Sequence, residues 1–243
     1  MARYAMVTDL RKCVGCQACT VACNSEWAVP PGFARTHVRP TAVAGTFPDL
    51  YSSFYVAQCN HCDRPACIEP CPTGATFQDE NGIVRVDRNL CIGCGFCVEA
   101  CPYGARYINP AIEKVDKCDF CAPRLSRGEQ PMCVLTCTAH AKFFGDLEDA
   151  NSDVYKMVYE QGARRLETPD VAIGPNVYYL GKKEDVDLVL ANYPPHPPRL
   201  PSAGELLMKV LRPLVLAAIG ATFLGQAIAF FNQLRAGEKE FED

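Results

Sequence analysis

Sixteen cysteines fall in four runs, and their spacing sets the chemistry open to this 243-residue chain. The runs are Cys13, Cys16, Cys19, Cys23; Cys59, Cys62, Cys67, Cys71; Cys91, Cys94, Cys97, Cys101; and Cys118, Cys121, Cys133, Cys137. Quartets one and three read C-x2-C-x2-C-x3-C, and quartets two and four widen the middle gap but keep the closing C-x3-C. Three cysteines in one tight turn can grip three irons of a cube while a distant fourth caps the last, so each quartet predicts ligands for a 4Fe-4S cluster. Structural zinc prefers two separated C-x2-C pairs. Taken alone, Cys118-x2-Cys121 with Cys133-x3-Cys137 fits zinc equally well, and its three neighbours decide for iron and sulfide.

In two-cluster ferredoxins the fourth cysteine of each run ligates the other cluster, so the quartets should work in pairs. Cys71-Pro72-Thr73-Gly74-Ala75 and Cys101-Pro102-Tyr103-Gly104-Ala105 share a proline and a turn, whereas Cys23 precedes Asn24 and Cys137 precedes Thr138. Quartets two and three are therefore expected to form one unit, and one and four another. The expected ligand sets are Cys13, Cys16, Cys19 with Cys137 (cluster 1); Cys118, Cys121, Cys133 with Cys23 (cluster 2); Cys59, Cys62, Cys67 with Cys101 (cluster 3); and Cys91, Cys94, Cys97 with Cys71 (cluster 4).

The remaining chemistry-bearing residues are sparse. His37, His61, His140 and His196 are too scattered for a Rieske or haem site, and His61 is expected to shape its loop or bond a sulfur. No Gly-rich nucleotide motif and no nucleophile with a base is present, so no catalytic residue is expected. The cofactors would carry one-electron chemistry. The formal charge of −4 counts every cysteine as neutral; four clusters, each about −2 with its thiolates, would take it to roughly −12. Such a chain is no nucleic-acid binder. Its opening residues are not expected to be a signal peptide, and disulfides, which need an oxidising compartment, are set aside.

The elements that must hold these turns are short. β-Prone runs lie at Tyr4 to Thr8, Phe54 to Ala57, Ile83 to Asp87, Lys142 to Phe144 and Val177 to Leu180, and helical turns are expected at Thr20-Val21-Ala22 and Val98-Glu99-Ala100. The expected fold is α+β: two interleaved, loop-rich ferredoxin-like units over 1–192, with quartets two and three (about 53–110) inserted in the unit made by one and four. A Pro-rich linker follows at 193–204. Residues 213–231 carry no charge, predicting a transmembrane helix within 205–234 that contacts the lipid bilayer, and then a polar tail at 235–243. Ala217, Ala221, Gly225 and Ala229 would give that helix a small-residue face.

RYAMVTDLRKCVGCQACTVAC, CNHCDRPACIEPCPTGATF, GIVRVDRNLCIGCGFCVEACPYGARYI and KCDFCAPRLSRGEQPMCVLTC followed by FGDLEDANS resemble the four-cluster electron-transfer subunits of the molybdenum or tungsten bis-pterin oxidoreductases, the dimethyl sulfoxide reductase superfamily. RYAM, CNHCD, ATFQ and GDLEDANS look most like the tetrathionate and polysulfide reductase branch. The resemblance implies single electrons passing between a molybdopterin-containing catalytic subunit, facing cluster 1, and an integral membrane quinone-reactive subunit or the quinone pool, facing cluster 4. Respiratory sulfur-compound metabolism is the expected setting. The alternatives are the iron-sulfur subunit of a membrane-bound hydrogenase or formate dehydrogenase, and a free polyferredoxin carrier. The implied location is the inner membrane, with the cluster domain periplasmic by co-export with its catalytic partner; a cytoplasmic face is the alternative, since Lys209 and Arg212 before the apolar segment balance Arg235 and Lys239 after it.

Overall fold

The computed structural model describes residues 2–198 and, as backbone, 203–240; in the latter stretch side chains are described at 204, 207, 211 and 219–235. Two compact units divide the chain near Leu200.

The first unit contains β1 (Tyr4–Asp9), α1 (Ala18–Glu26), β2 (Thr36–Pro40), β3 (Ala44–Thr46), β4 (Asp49–Tyr51), β5 (Phe54–Gln58), β6 (Thr76–Gln78) and β7 (Val84–Val86). It continues with α2 (Phe96–Glu99), β8 (Arg106–Asn109), β9 (Lys114–Lys117), α3 (Ala122–Leu125), α4 (Met132–Leu135) and β10 (Lys142–Asp146). It closes with α5 (Asp153–Tyr155), which runs on as a π-turn, β11 (Arg164–Arg165), β12 (Val177–Leu180) and α6 (Lys183–Asn192). The mixed α+β character expected of this region is present.

One sheet organises the unit, in the order β10-β1-β12-β11. β1 is antiparallel to β10, with Tyr4 opposite Asp146, and parallel to β12, with Met6 opposite Val177. The chain before the first quartet is thereby tied to the chain after the fourth. Because successive side chains in a strand point to opposite faces, Met6, Val177 and Tyr179 enter one core with Tyr55, Val56, Phe120, Val186 and Val189. Ala5, Val7, Tyr178 and Leu180 enter a second core with Leu147, Val154 and Met157. Both sheet faces are covered, which explains why YAMVTD and VYYL are near-continuous apolar runs rather than alternating ones. The remaining strands form two-stranded ribbons, β2-β5, β3-β4, β6-β7 and β8-β9. The expected strands at Tyr4, Phe54, Ile83, Lys142 and Val177 are observed, although β7 is shorter than expected; β2, β8 and β9 lack a clear period in THVRP, RYIN and KVDK.

The second unit holds α7 (Ala203–Glu240). Among the described residues no helix is long and apolar enough to cross a membrane. The transmembrane helix expected within 205–234, with its bilayer contact at 213–231, is corrected accordingly. The described part of α7, all exposed, has Thr222 and Gln226 within it and Asn232, Gln233 and Arg235 after it. The expected linker at 193–204 and tail at 235–243 lie partly outside the described residues, at 199–202 and 241–243.

Candidate iron-sulfur site

Each quartet is held by backbone in the left-handed region. Gly15 and Gln17 in quartet one have φ of 66° and 62°, His61 in quartet two 44°, Gly93 and Gly95 in quartet three 68° and 82°, and Phe120 and Cys121 in quartet four 52° and 57°. Left-handed residues set among ordinary turn residues aim successive N–H groups into one concavity, a nest suited to an anion. Glycine is required where space is short: a Cβ on Gly93 would lie 2.3 Å from the Glu113 carbonyl oxygen, and one on Gly15 would lie 2.3 Å from the Phe54 ring. Gln17 and Gly95 start α1 and α2, so these helices begin one residue before the third cysteine rather than after it. α1 then carries Cys19 and Cys23 on one buried face, a turn apart.

None of the sixteen cysteines is in a disulfide. Burial is the main force raising the pKa of Cys13, Cys19, Cys23, Cys62, Cys67, Cys94, Cys101, Cys118 and Cys121. It pushes Cys23 and Cys67 up to about 12, with neighbouring thiols adding to it. A buried thiolate is expensive unless a cation compensates it. Cys16 is the contrast: the Ala18 N–H and the Thr138 hydroxyl hold it below the ordinary thiol value.

The tertiary fold brings cysteines from distant quartets together. Cys13, Cys16, Cys19 and Cys137 line one small cavity together with Ala141 and Lys142. Cys16 Sγ lies 3.6 Å from the Thr138 hydroxyl, and the Ala141 N–H donates to Cys137 Sγ at 3.2 Å. Cys23 feels the charge of Cys133 and Cys121, and Cys118 feels that of Cys23 and Cys133. Cys62 feels the charge of Cys59, Cys101 and Cys67, and Cys94 that of Cys97, Cys71 and Cys91. Charge interactions link neighbouring groups in series: Cys133 acts on Cys19, Cys59 on Cys118, and both Cys67 and Cys97 on Arg106.

These residues fit iron-sulfur clusters. Soft cysteine sulfurs stand in four groups, N–H donors point at several of them, and buried cations face them. Among the described residues no three His, Cys, Asp or Glu side chains converge closely enough to hold one metal ion.

Several contributors escaped the sequence reading. Trp27, at the end of α1, donates its indole N–H to Cys121 Sγ at 3.3 Å. The Arg35 guanidinium lies 5.0 Å over that ring and pairs with Asp116. His61 shapes its loop as expected, through Nδ1, which accepts from the Val84 N–H at 3.0 Å. Its ring stacks on Phe120 at 3.7 Å, and burial holds its pKa well below the ordinary imidazole value, so it is neutral. His37 lies in β2 opposite Ala57, while His140 and His196 donate their backbone N–H groups to the Cys137 and Pro102 carbonyls.

A 4Fe-4S dicluster domain model matches residues 50–147. The chain is 44% identical over 181 residues to a tetrathionate reductase subunit of Salmonella typhimurium, covering 74% of this chain and 72% of that protein. It is 44% identical to a thiosulfate reductase electron transfer subunit of Salmonella typhi, covering 74% and 96%. It is 37% identical to a selenate reductase subunit of Mesobacillus selenatarsenatis, covering 73% and 72%.

Proposed function

The chain belongs to the 4Fe-4S dicluster electron-transfer subunits of the molybdopterin oxidoreductases, and on that premise we propose that it wires a catalytic subunit to the quinone pool in sulfur-compound respiration. It is a non-catalytic component of its complex. The proposed ligand sets are Cys13, Cys16, Cys19, Cys137; Cys118, Cys121, Cys133, Cys23; Cys59, Cys62, Cys67, Cys101; and Cys91, Cys94, Cys97, Cys71, for four clusters in all. The observation that carries this reading is the gathering of cysteines into four groups that act electrostatically on one another, each group including a cysteine from another quartet.

Bound clusters supply one-electron carriage; the protein contributes their ligation, their spacing and the charge around them. The most exposed ligand, Cys16, belongs to the first group, and that end is proposed to meet the molybdopterin-containing subunit. The fourth group is proposed to meet an integral membrane quinone-reactive subunit, with the cluster domain on the periplasmic face after co-export with its catalytic partner.

Iron and sulfide analysis of the anaerobically purified complex tests the count: about sixteen of each per chain are expected, and about eight would overturn it. In the same preparation, Cys137→Ser should damage the cluster of Cys13, Cys16 and Cys19. Loss of the Cys133 cluster alone would contradict the grouping.

A further inference from the structure

Three cations are buried inside the cysteine array, where Lys and Arg almost never lie without compensating charge. Arg106, Lys117 and Lys142 are 4%, 3% and 4% exposed. Each occupies a junction. Lys142 faces Cys19 of the first group and Cys133, Cys118 and Cys23 of the second. Lys117 donates to the Cys118 carbonyl at 2.8 Å and to the Val84 carbonyl, and its charge reaches Cys67 of the third group. Arg106 faces Cys67, Cys59 and Cys101 of the third group and Cys97 of the fourth.

Protein partners do not satisfy these groups. Arg106 donates from Nη1 to the Thr76 hydroxyl at 3.1 Å, but its Nε and Nη2 are buried without a partner. Lys142 bonds Gln58 Oε1 at 2.7 Å, leaving further ammonium protons for the array. β8 and β9 moreover pair in the register Arg106 opposite Lys117, two like charges face to face. That arrangement is destabilising unless anions sit among them. The internal repeat supplies two of the three at the same offset from a closing cysteine: Cys101-Pro102-Tyr103-Gly104-Ala105-Arg106 and Cys137-Thr138-Ala139-His140-Ala141-Lys142. After Cys71 the same offset gives Thr76, the hydroxyl that holds Arg106.

We propose that Arg106, Lys117 and Lys142 are a ladder of fixed positive charges, one at each junction, that raises the reduction potentials of the clusters on either side and so keeps successive clusters within range of one another. The inference rests on the ligand grouping proposed above. A buried positive charge favours the reduced, more negative cluster, and low dielectric confines the effect to near neighbours.

Redox titration of the complex followed by electron paramagnetic resonance tests this, with iron content measured on every sample. Lys142→Gln should lower the reduction equilibrium constants of the first two clusters about tenfold, or 59 mV for one electron, and leave the other two within about twofold. Arg106→Gln should do the reverse. The charge-conserving Lys142→Arg and Arg106→Lys should hold all four within about twofold. Neutral variants with full iron and unmoved potentials would overturn the ladder, as would an equal shift of all four clusters. Where a neutral variant loses iron, the charge-conserving exchange decides, since a tenfold shift there would also overturn it. A wild-type sample with fewer than four clusters would refute the grouping instead, independently of any variant.

Discussion

Replacing Arg35 by methionine should make cluster release from the complex about a hundredfold faster. Arg35 and Asp116 are buried, with side chains 3% and 6% exposed, and they pair through two bonds, Nη2 to Oδ1 at 2.7 Å and Nε to Oδ2 at 3.2 Å. Removing one member of such a pair strands a buried charge and typically costs about 3–5 kcal/mol. Asp116 would keep the Tyr107 hydroxyl and the Lys117 N–H, both at 2.9 Å, and the exposed Arg88 at 3.5 Å. The lower end, about 3 kcal/mol, is therefore expected, together with some lost packing over Trp27. Because unfolding with loss of clusters is irreversible, the readout is a rate, and about 3 kcal/mol corresponds to roughly a hundredfold when the pair is broken in the transition state. The assay is the decay of visible cluster absorbance in a fixed denaturant concentration under anaerobic conditions. Arg35→Met with Asp116→Asn removes both charges and should recover most of the loss, since replacing both partners is far milder than orphaning one. A single variant that decays within about threefold of wild type, or a double variant as fragile as the single, would refute the reasoning.

Gly93→Ala should cost about 2–4 kcal/mol and deplete iron, because the site combines a φ of 68° with a Cβ 2.3 Å from the Glu113 carbonyl; Gly104→Ala, with a φ of 57° and open space, should cost about 1 kcal/mol. Thermal inactivation of the two variants side by side checks the contrast. Trp27→Phe removes the N–H donated to Cys121 and should lower the reduction equilibrium constant of that cluster by up to about tenfold, read by redox titration; an unmoved potential would contradict the bond's role. Burial first, and the Arg39 charge second, hold His37 below the ordinary imidazole value. Its contribution to stability is complete above about pH 6.5 and falls away as pH drops from there towards the lowered folded-state value. His37→Gln should therefore flatten the loss of stability between about pH 7 and 5.5, measured by denaturant melts; an unchanged pH profile would exclude His37 as its source.

The cysteine runs and their iron-sulfur chemistry are legible in one dimension, because three ligands lie in a single turn and a glycine such as Gly15 or Gly93 marks the left-handed backbone that turn needs. The strands at Tyr4, Phe54 and Val177 are legible too, as apolar runs buried on both sides. The transmembrane helix expected within 205–234 is the exception, since among the described residues no helix is long and apolar enough to cross a membrane. Tertiary structure alone decided which distant sulfurs meet: Cys137 reaches the cavity of Cys13, Cys16 and Cys19 because β10 pairs with β1. It also decided that Trp27 bonds Cys121, and that Arg106, Lys117 and Lys142 are buried. Lys and Arg read in sequence as surface residues because water normally offers their charges the best solvation; in this fold Arg106, Lys117 and Lys142 are buried beside cysteines, and only the packed chain shows it.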